Sequence, residues 1–182
     1  SKFLDSMPAL VVMERIFFRI VVVGFLFITL TLIVGATDEG IEPVRDILET
    51  FSSKIYCFGG PGKGQAAKLA NQVALSSCMV GMADALSFAQ QMGLNLAETR
   101  EMILGGTGRS GAMEQLAPKS LDGDWKPGFM GTHFLKDLRL ALAAAEEKEL
   151  ALPGADTAFT LYDMLDAIGG SKLGIQAITV LY

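Results

Sequence analysis

The chain has 182 residues, enough for one ordinary domain or for a small domain with an additional segment. Hydrophobic residues make up 51% of it and charged residues 19%, so it has to bury a large core, a partner surface or a membrane segment. Its net charge of −5 comes without any basic run, which argues against nucleic-acid binding. One histidine and two isolated cysteines, Cys57 and Cys78, argue against a metal site and indicate a reduced, cytoplasmic protein.

The most hydrophobic window covers residues 16–34 and approaches the length that a membrane helix needs. Arg19 interrupts this window and Gly24 divides it. Many of its residues are β-branched, and this composition is typical of buried strands. A buried strand is therefore favoured here, and a membrane helix is the alternative.

A helix and a second strand are predicted to follow this window. Thr37 or Asp38 can cap the helix, and apolar residues between 41 and 51 line one of its faces. Residues 54–58 are predicted to form the strand. This order of strand, helix and strand indicates the end of an α/β unit that cannot bury its faces alone.

The rest of the chain is predicted to be helical, because its apolar residues recur at helical spacing and glycines or prolines separate the segments. The first helix is nearly apolar all round, which predicts a central buried helix. The last segment is either a complete helix or an unfinished one. The predicted helices cover residues 64–92, 94–104, 110–121, 132–150, 153–168 and 173–182.

The central helix carries one charged residue between Gly64 and Ala83, namely Lys68. A cation near a helix N-terminus opposes the helix macrodipole, and an apolar environment disfavours the charged form of an amine. Asn71 and Gln72 follow at i+3 and i+4 and share the face of Lys68. The pattern makes Lys68 a candidate for chemistry, and a lysine that extends along the surface is the alternative.

The residues around Lys68 form the pattern G-x-x-G-x-G-x-x-x-K-x-x-N between Gly59 and Asn71. This pattern resembles the catalytic segment of the β-hydroxyacid dehydrogenases, and the pair Asn71-Gln72 is more similar to the tartronate semialdehyde (2-hydroxy-3-oxopropionate) reductase branch. Further segments resemble the family in the same order. They are the Gly/Ser-rich turn at 103–113, the F-x6-KDL segment with Phe129, Lys136, Asp137 and Leu138, and the closing helices at 149–182.

The resemblance extends from about Gly35 to Tyr182 and implies a mostly α fold. Residues 61–182 would form an all-helical substrate, catalytic and dimerisation domain around one long central helix. Residues 1–60 would be a small α/β remnant of a Rossmann domain, and the main dinucleotide-binding half would be absent from this chain. Residues Phe3 to Leu10 begin like the family's substrate loop but lack its Ser-Gly-Gly.

The resemblance also implies a reaction, namely hydride transfer between NAD or NADP and a small 3-hydroxy acid or its 3-oxo acid. Lys68 would be the catalytic acid and base, and Asn71 and Gln72 would bind the carboxylic-acid substrate. Lys136 would reach the cofactor, or would be a solvated lysine paired with Asp137, for which we expect a structural role. A homodimer or homotetramer is implied, and a non-catalytic helical dimerisation module is the alternative function. Which 3-hydroxy acid and which dinucleotide are used stays open.

Overall fold

The computed structural model describes residues 31–182, and the chain divides into two compact units with the boundary after Gly64. Among the described residues only two short strands accompany the helices, which confirms the predicted mostly α fold with a small α/β part. The predicted domain limit between residues 60 and 61 lies close to this boundary, and the roles assigned to the two parts stay predictions. The predictions for the loop at 3–10 and for most of the window at 16–34 lie outside the described residues.

The first unit contains a parallel pair of strands, β1 (Thr31–Val34) and β2 (Lys54–Cys57). Val34 pairs with Cys57, so the window at 16–34 ends in a strand, as predicted. Three short helical turns connect the strands: α1 (Asp38–Ile41), a 3₁₀ turn (Glu42–Val44) and α2 (Arg45–Glu49).

Thr37 begins this connection as a helix cap, because its hydroxyl accepts a hydrogen bond from the Gly40 amide at 3.1 Å. Leu32, Ile41 and Leu48 form a small buried cluster between the strands and the helical turns. The first unit therefore has the strand, helix and strand order that the sequence predicts.

Two glycine backbones approach closely in the first unit, at the end of β1 and at the beginning of the long helix. A Cβ atom on Gly64 would lie 2.5 Å from the backbone nitrogen of Gly35 and 3.0 Å from the carbonyl carbon of Val34. Real Cβ atoms do not come this close to a backbone atom. Position 64 therefore requires glycine for steric reasons.

The second unit is built around the long helix α3 (Lys63–Gln91). The helices that follow are α4 (Leu96–Leu104), α5 (Gly111–Gln115), α6 (Ala117–Leu121), α7 (Gly131–Glu146) and α8 (Pro153–Leu165). A π-helical turn (Asp166–Gly170) and a 3₁₀ helix (Ile175–Leu181) complete the chain. The predicted order of helices is confirmed.

The helix predicted at 110–121 is in fact two helices, which meet at Leu116. Pro118 explains the break, because it has no N–H to donate and its ring would clash with the carbonyl of Glu114 in a continuous helix. That carbonyl accepts a hydrogen bond of 2.7 Å from the Arg100 guanidinium instead. Ser110 caps α5, because its hydroxyl accepts a hydrogen bond of 3.1 Å from the Met113 amide.

Helix α7 ends at Glu146, four residues before the end predicted for it. Glu149 has a φ of 55°, in the left-handed region, and the Leu150 amide donates to the Ala145 carbonyl. This is the hydrogen bond with which a Schellman motif closes a helix. The motif usually contains glycine, and for this reason the sequence pattern did not reveal it.

The core of the second unit lies between α3, α7 and α8. Phe134 on α7 packs edge-on against Tyr162 on α8, with ring centroids 5.0 Å apart. The Tyr162 hydroxyl donates to the Ile175 carbonyl, and burial raises the pKa of this hydroxyl well above its ordinary value. The buried face of α3 consists of Gln72, Ser76, Met79, Met82, Ala83, Leu86 and Ala89.

The last segment of the chain holds the beginning of α7. The amides of Gly131 and Thr132 donate to the carbonyls of Leu173 and Ser171, at 2.9 and 3.3 Å. The buried side chain of Gln176 donates to two carbonyls of the loop before α7. The bonds from Gly131 and Thr132 satisfy amides that a helix N-terminus leaves without partners inside the helix.

Helix α3 is long and apolar enough to cross a membrane by length and composition, and 39% of its most apolar stretch is buried inside the protein. It is the one helix among residues 31–182 with this property. The central helix of a water-soluble protein has the same length and composition, so this observation does not assign α3 to a membrane.

We predict opposite effects for two glycine-to-alanine substitutions in α3. Gly64→Ala forces the backbone at β1 to shift and should lower the free energy of unfolding by about 1–3 kcal/mol. Gly81→Ala is the matched control: a Cβ there meets no atom within 4 Å, and the variant should gain about 0.5–1 kcal/mol. Urea unfolding measures both effects, and a Gly64→Ala variant as stable as the Gly81→Ala variant would contradict the close approach.

Candidate active site

The candidate site lies where α3 faces α7 and is centred on an ion pair. The Lys68 ammonium on α3 lies 2.7 Å from Oδ2 of Asp137 on α7. The Asp137 side chain is 2% exposed and the Lys68 side chain 21%. The carboxylate is therefore inside the protein, and the ammonium lies at the border between the core and the solvent.

Gln72 contacts the same carboxylate from one helical turn further along α3. Its amide nitrogen donates to Asp137 Oδ2 at 3.1 Å, and its amide oxygen accepts a hydrogen bond from Asn71 at 3.3 Å. Gln72 is buried and Asn71 is exposed. The two residues thus occupy different positions, with Asn71 towards the solvent and Gln72 next to the buried carboxylate.

The second oxygen of Asp137, Oδ1, is buried and accepts no hydrogen bond from the residues that the structure describes. The Lys136 ammonium lies 3.8 Å from it, beyond hydrogen-bonding distance, and the Lys136 side chain is 62% exposed. The carboxylate therefore has two donors on one oxygen and a loosely associated cation near the other. The two lysines lie on opposite sides of one negative charge.

The packing of α7 explains why a carboxylate is buried here. Asp137 follows Phe134 at i+3 and precedes Leu138 and Ala141, all of which are buried on the same face. A carboxylate on such a face is stable only when it is paired and hydrogen-bonded. Lys68 and Gln72 provide these partners.

The ion pair changes the interpretation of Lys68. The sequence suggested a cation that is desolvated without compensation, whereas in the structure a carboxylate at 2.7 Å stabilises the ammonium. From the sequence we expect a structural role for Asp137, and its position next to Lys68 is found only in the structure. The signal that could have revealed it is an acidic residue on the apolar face of an amphipathic helix.

Other residues of the segments that resemble the family lie outside this ion pair. Phe129 packs against Phe134, with ring centroids 5.6 Å apart, and Arg109 forms an exposed ion pair with Glu114. His133 is exposed on α7. Among residues 31–182, no three His, Cys, Asp or Glu side chains lie close enough to hold a metal ion.

We predict that the ion pair couples Lys68 and Asp137 in stability. Lys68→Met leaves a buried carboxylate without its main counter-ion and should lower the free energy of unfolding by about 3 kcal/mol. Adding Asp137→Asn should recover most of this loss, because the neutral amide can still accept the Gln72 hydrogen bond. The single variant Asp137→Asn completes the cycle, and urea unfolding of the unsubstituted protein, the two single variants and the double variant gives the coupling. The exposed Lys63 provides the control Lys63→Met. If the effects of Lys68→Met and Asp137→Asn on the free energy of unfolding add strictly, the two side chains do not interact and the prediction is wrong.

The comparisons with known proteins agree on one family. The family model described as "NAD-binding of NADP-dependent 3-hydroxyisobutyrate dehydrogenase" matches residues 62–182. The uncharacterized oxidoreductase YkwC of Bacillus subtilis is 36% identical over 154 residues, which are 85% of this chain and 54% of that protein. The 2-hydroxy-3-oxopropionate reductase of Escherichia coli is 32% identical over 150 residues, 82% of this chain and 51% of that protein.

A solved structure of Mycobacterium tuberculosis 3-hydroxyisobutyrate dehydrogenase with L-serine has a TM-score of 0.76 and 28% identity, and the match covers 83% of this chain and 54% of that one. The chain spans about half the length of the curated relatives it matches. The family model covers most of the chain, and the predicted resemblance is confirmed. The chain belongs to the 3-hydroxyisobutyrate dehydrogenase family.

Proposed function

We propose that the protein carrying this chain interconverts a small 3-hydroxy acid and its 3-oxo acid with NAD or NADP, and that Lys68 is its catalytic acid and base. The observation that carries the proposal is the position of Lys68, a partly exposed ammonium that a buried carboxylate holds at 2.7 Å. A fixed ammonium at a surface that a substrate can reach is suited to deliver a proton. Membership of the family supports the same reaction class.

The dinucleotide, when bound, supplies the hydride that is added to the carbonyl carbon. Lys68 supplies the proton: an Nζ–H bond breaks, an O–H bond forms on the substrate oxygen, and the lysine is left neutral. In the oxidation the neutral lysine takes the proton of the substrate hydroxyl, and its ammonium forms again beside Asp137. Asp137 keeps Lys68 in place in both directions.

Asn71 is the residue that we propose to bind the substrate oxygens. It lies on the same face of α3 as Lys68, it is exposed, and its amide oxygen accepts no hydrogen bond among those found in residues 31–182. Gln72 was predicted for the same role, but it is buried and both ends of its amide contact protein groups. We therefore assign substrate contact to Asn71 and a supporting role to Gln72.

Lys136 is the residue that we propose to contact the dinucleotide. Its side chain is 62% exposed, and its ammonium is held only loosely, at 3.8 Å from Asp137 Oδ1. A mobile cation of this kind can turn towards a phosphate or a carboxamide oxygen without breaking a short hydrogen bond. The exposed ammonium thus fits an anionic cofactor.

A short 3-oxo acid such as tartronate semialdehyde is the substrate that we propose to test first. The pair Asn71-Gln72 resembles the tartronate semialdehyde branch of the family, and a relative of this chain is the 2-hydroxy-3-oxopropionate reductase of Escherichia coli. Lys68 and Lys136 place two positive charges near one buried negative charge, which favours an anionic substrate.

We predict that Lys68→Ala in the complete protein lowers turnover with tartronate semialdehyde by a factor of about 10²–10⁴ or more, the usual effect of losing a general acid. The affinity for NADH or NADPH should stay nearly unchanged, because Lys68 is proposed to act on the substrate oxygen. Cofactor oxidation at 340 nm measures the first quantity, and cofactor fluorescence titration measures the second.

Lys63→Ala is the matched control, because Lys63 is an exposed lysine in the first turn of the same helix. It should leave turnover within about twofold of the unsubstituted protein. Turnover retained in Lys68→Ala would overturn the role of Lys68. Absence of turnover in the unsubstituted protein with every small 3-oxo acid tried would overturn the proposed reaction.

A helical association module is the second candidate function, and the exposed side of α3 favours it. This side carries the small residues Ala70, Ala74 and Gly81, and Phe88 is 63% exposed beyond them. Small residues allow another helix to approach closely. We predict an oligomer in light scattering that Ala74→Arg converts to a smaller species, whereas Lys119→Glu on α6 leaves it intact. A monomeric unsubstituted protein would contradict this function.

A further inference from the structure

We propose that Gln72 is a positioning residue that enables Lys68 to release its proton, by holding the Asp137 carboxylate when the lysine becomes neutral. The inference rests on the proposed role of Lys68 as acid and base. Gln72 is buried inside the protein. Its basis is the hydrogen bond of 3.1 Å from the Gln72 amide to the same oxygen that pairs with Lys68.

The distribution of donors around Asp137 is uneven. Oδ2 accepts from both Lys68 and Gln72, and Oδ1 accepts no hydrogen bond within the described part of the chain. Gln72 is itself fixed, because it is buried and its amide oxygen accepts a hydrogen bond from Asn71. When Lys68 is charged, the carboxylate has an ammonium and an amide as donors. When Lys68 is neutral, the Gln72 amide is the strongest donor that stays in place.

Asp137 has fewer donors when Lys68 is neutral, and this gives Gln72 a specific effect on proton transfer. A buried carboxylate without donors is strongly destabilised, so a lysine that is its main donor tends to keep its proton. The Gln72 amide stabilises the carboxylate in both states, but its contribution is larger in the state without the ammonium. Gln72 therefore brings the neutral and the charged forms of Lys68 closer in free energy.

Few charged groups take part in this equilibrium. Across α3 and α7, ion-pair distances connect Lys68 with Asp137, and Asp137 with Lys136. On α3 itself Lys63 is the neighbouring charge in the sequence, five residues earlier. Lys136 is the group that could replace Gln72 as a donor, but its ammonium lies 3.8 Å from the other carboxylate oxygen.

The first test measures how much of Lys68 is in the neutral form, and it needs no cofactor, substrate or turnover. Pulses of trace acetic anhydride modify neutral amines, and peptide mass spectrometry gives the reactivity of Lys68 relative to Lys63 in the same sample. Gln72→Met keeps the length of the side chain and removes the donor. We expect the relative reactivity of Lys68 to fall about tenfold at fixed pH, the effect of losing one hydrogen bond to a charged group.

The direction of the change separates the proposal from a structural role. Loosening of the site would expose Lys68 and increase its reactivity, whereas the proposal requires a decrease. Gln72→Asn keeps the amide on a side chain one methylene shorter and should give an intermediate value. Ser76→Ala, one turn further along the buried face of α3, is the control and should change nothing. Unchanged or increased reactivity in Gln72→Met would overturn the proposal.

The second test uses the pH profiles of the complete enzyme. Oxidation needs neutral Lys68, so its rate rises with pH, and reduction needs the ammonium, so its rate falls with pH. In Gln72→Met both midpoints should move to higher pH by about one unit. If Gln72→Met lowers the acetylation of Lys68 but the unsubstituted enzyme is inactive, the proposed reaction is refuted and the link between Gln72 and Lys68 is supported. Unshifted midpoints in an active enzyme would overturn the inference.

Discussion

Burial of the Asp137 carboxylate is the constraint on which the geometry of the site depends. A side chain that is 2% exposed cannot keep a charge unless partners meet it inside the protein. The two partners, Lys68 and Gln72, lie one helical turn apart on α3, so that both reach the same oxygen. A rotation of either helix would break both contacts together. The charge therefore fixes the register of α3 against α7, and the same contacts fix the rotamer of Lys68.

The position of α7 depends in turn on residues far along the chain. The carbonyls of Ser171 and Leu173 accept the first amides of α7, and Tyr162 on α8 packs against Phe134, one turn before Asp137. Within the part of the chain that the structure describes, these residues form no hydrogen bond or ion pair with Lys68 or Asp137. Their effect on the site is transmitted through the helix, because a helix that is held at its N-terminus and along its buried face cannot shift. Variants in the last segment are thus expected to act on the position of Asp137 rather than on the chemistry of Lys68.

The sequence predicted those parts of the structure that local patterns determine. The apolar run interrupted by Lys68 predicted the central helix to within two residues at each end, and Thr37 was one of the two predicted caps of the first helical turn. Asp137 was not placed at the site, because its burial and its partner 69 residues earlier in the chain arise only from tertiary packing. The early end of α7 was missed because Glu149 occupies a backbone conformation that usually indicates glycine.

The local charge of the site differs in sign from that of the chain. Two ammonium groups and one carboxylate, those of Lys68, Lys136 and Asp137, sum to +1, whereas the whole chain carries −5. At physiological ionic strength charges act over about 8 Å, so the charges next to a bound anion matter more to it than the net charge of the chain. The attraction that we propose for an anionic substrate therefore depends mainly on contact with the two lysines. Because Asp137 already neutralises one of the two positive charges, the exposed ammonium of Lys136 provides the net charge that an arriving anion meets.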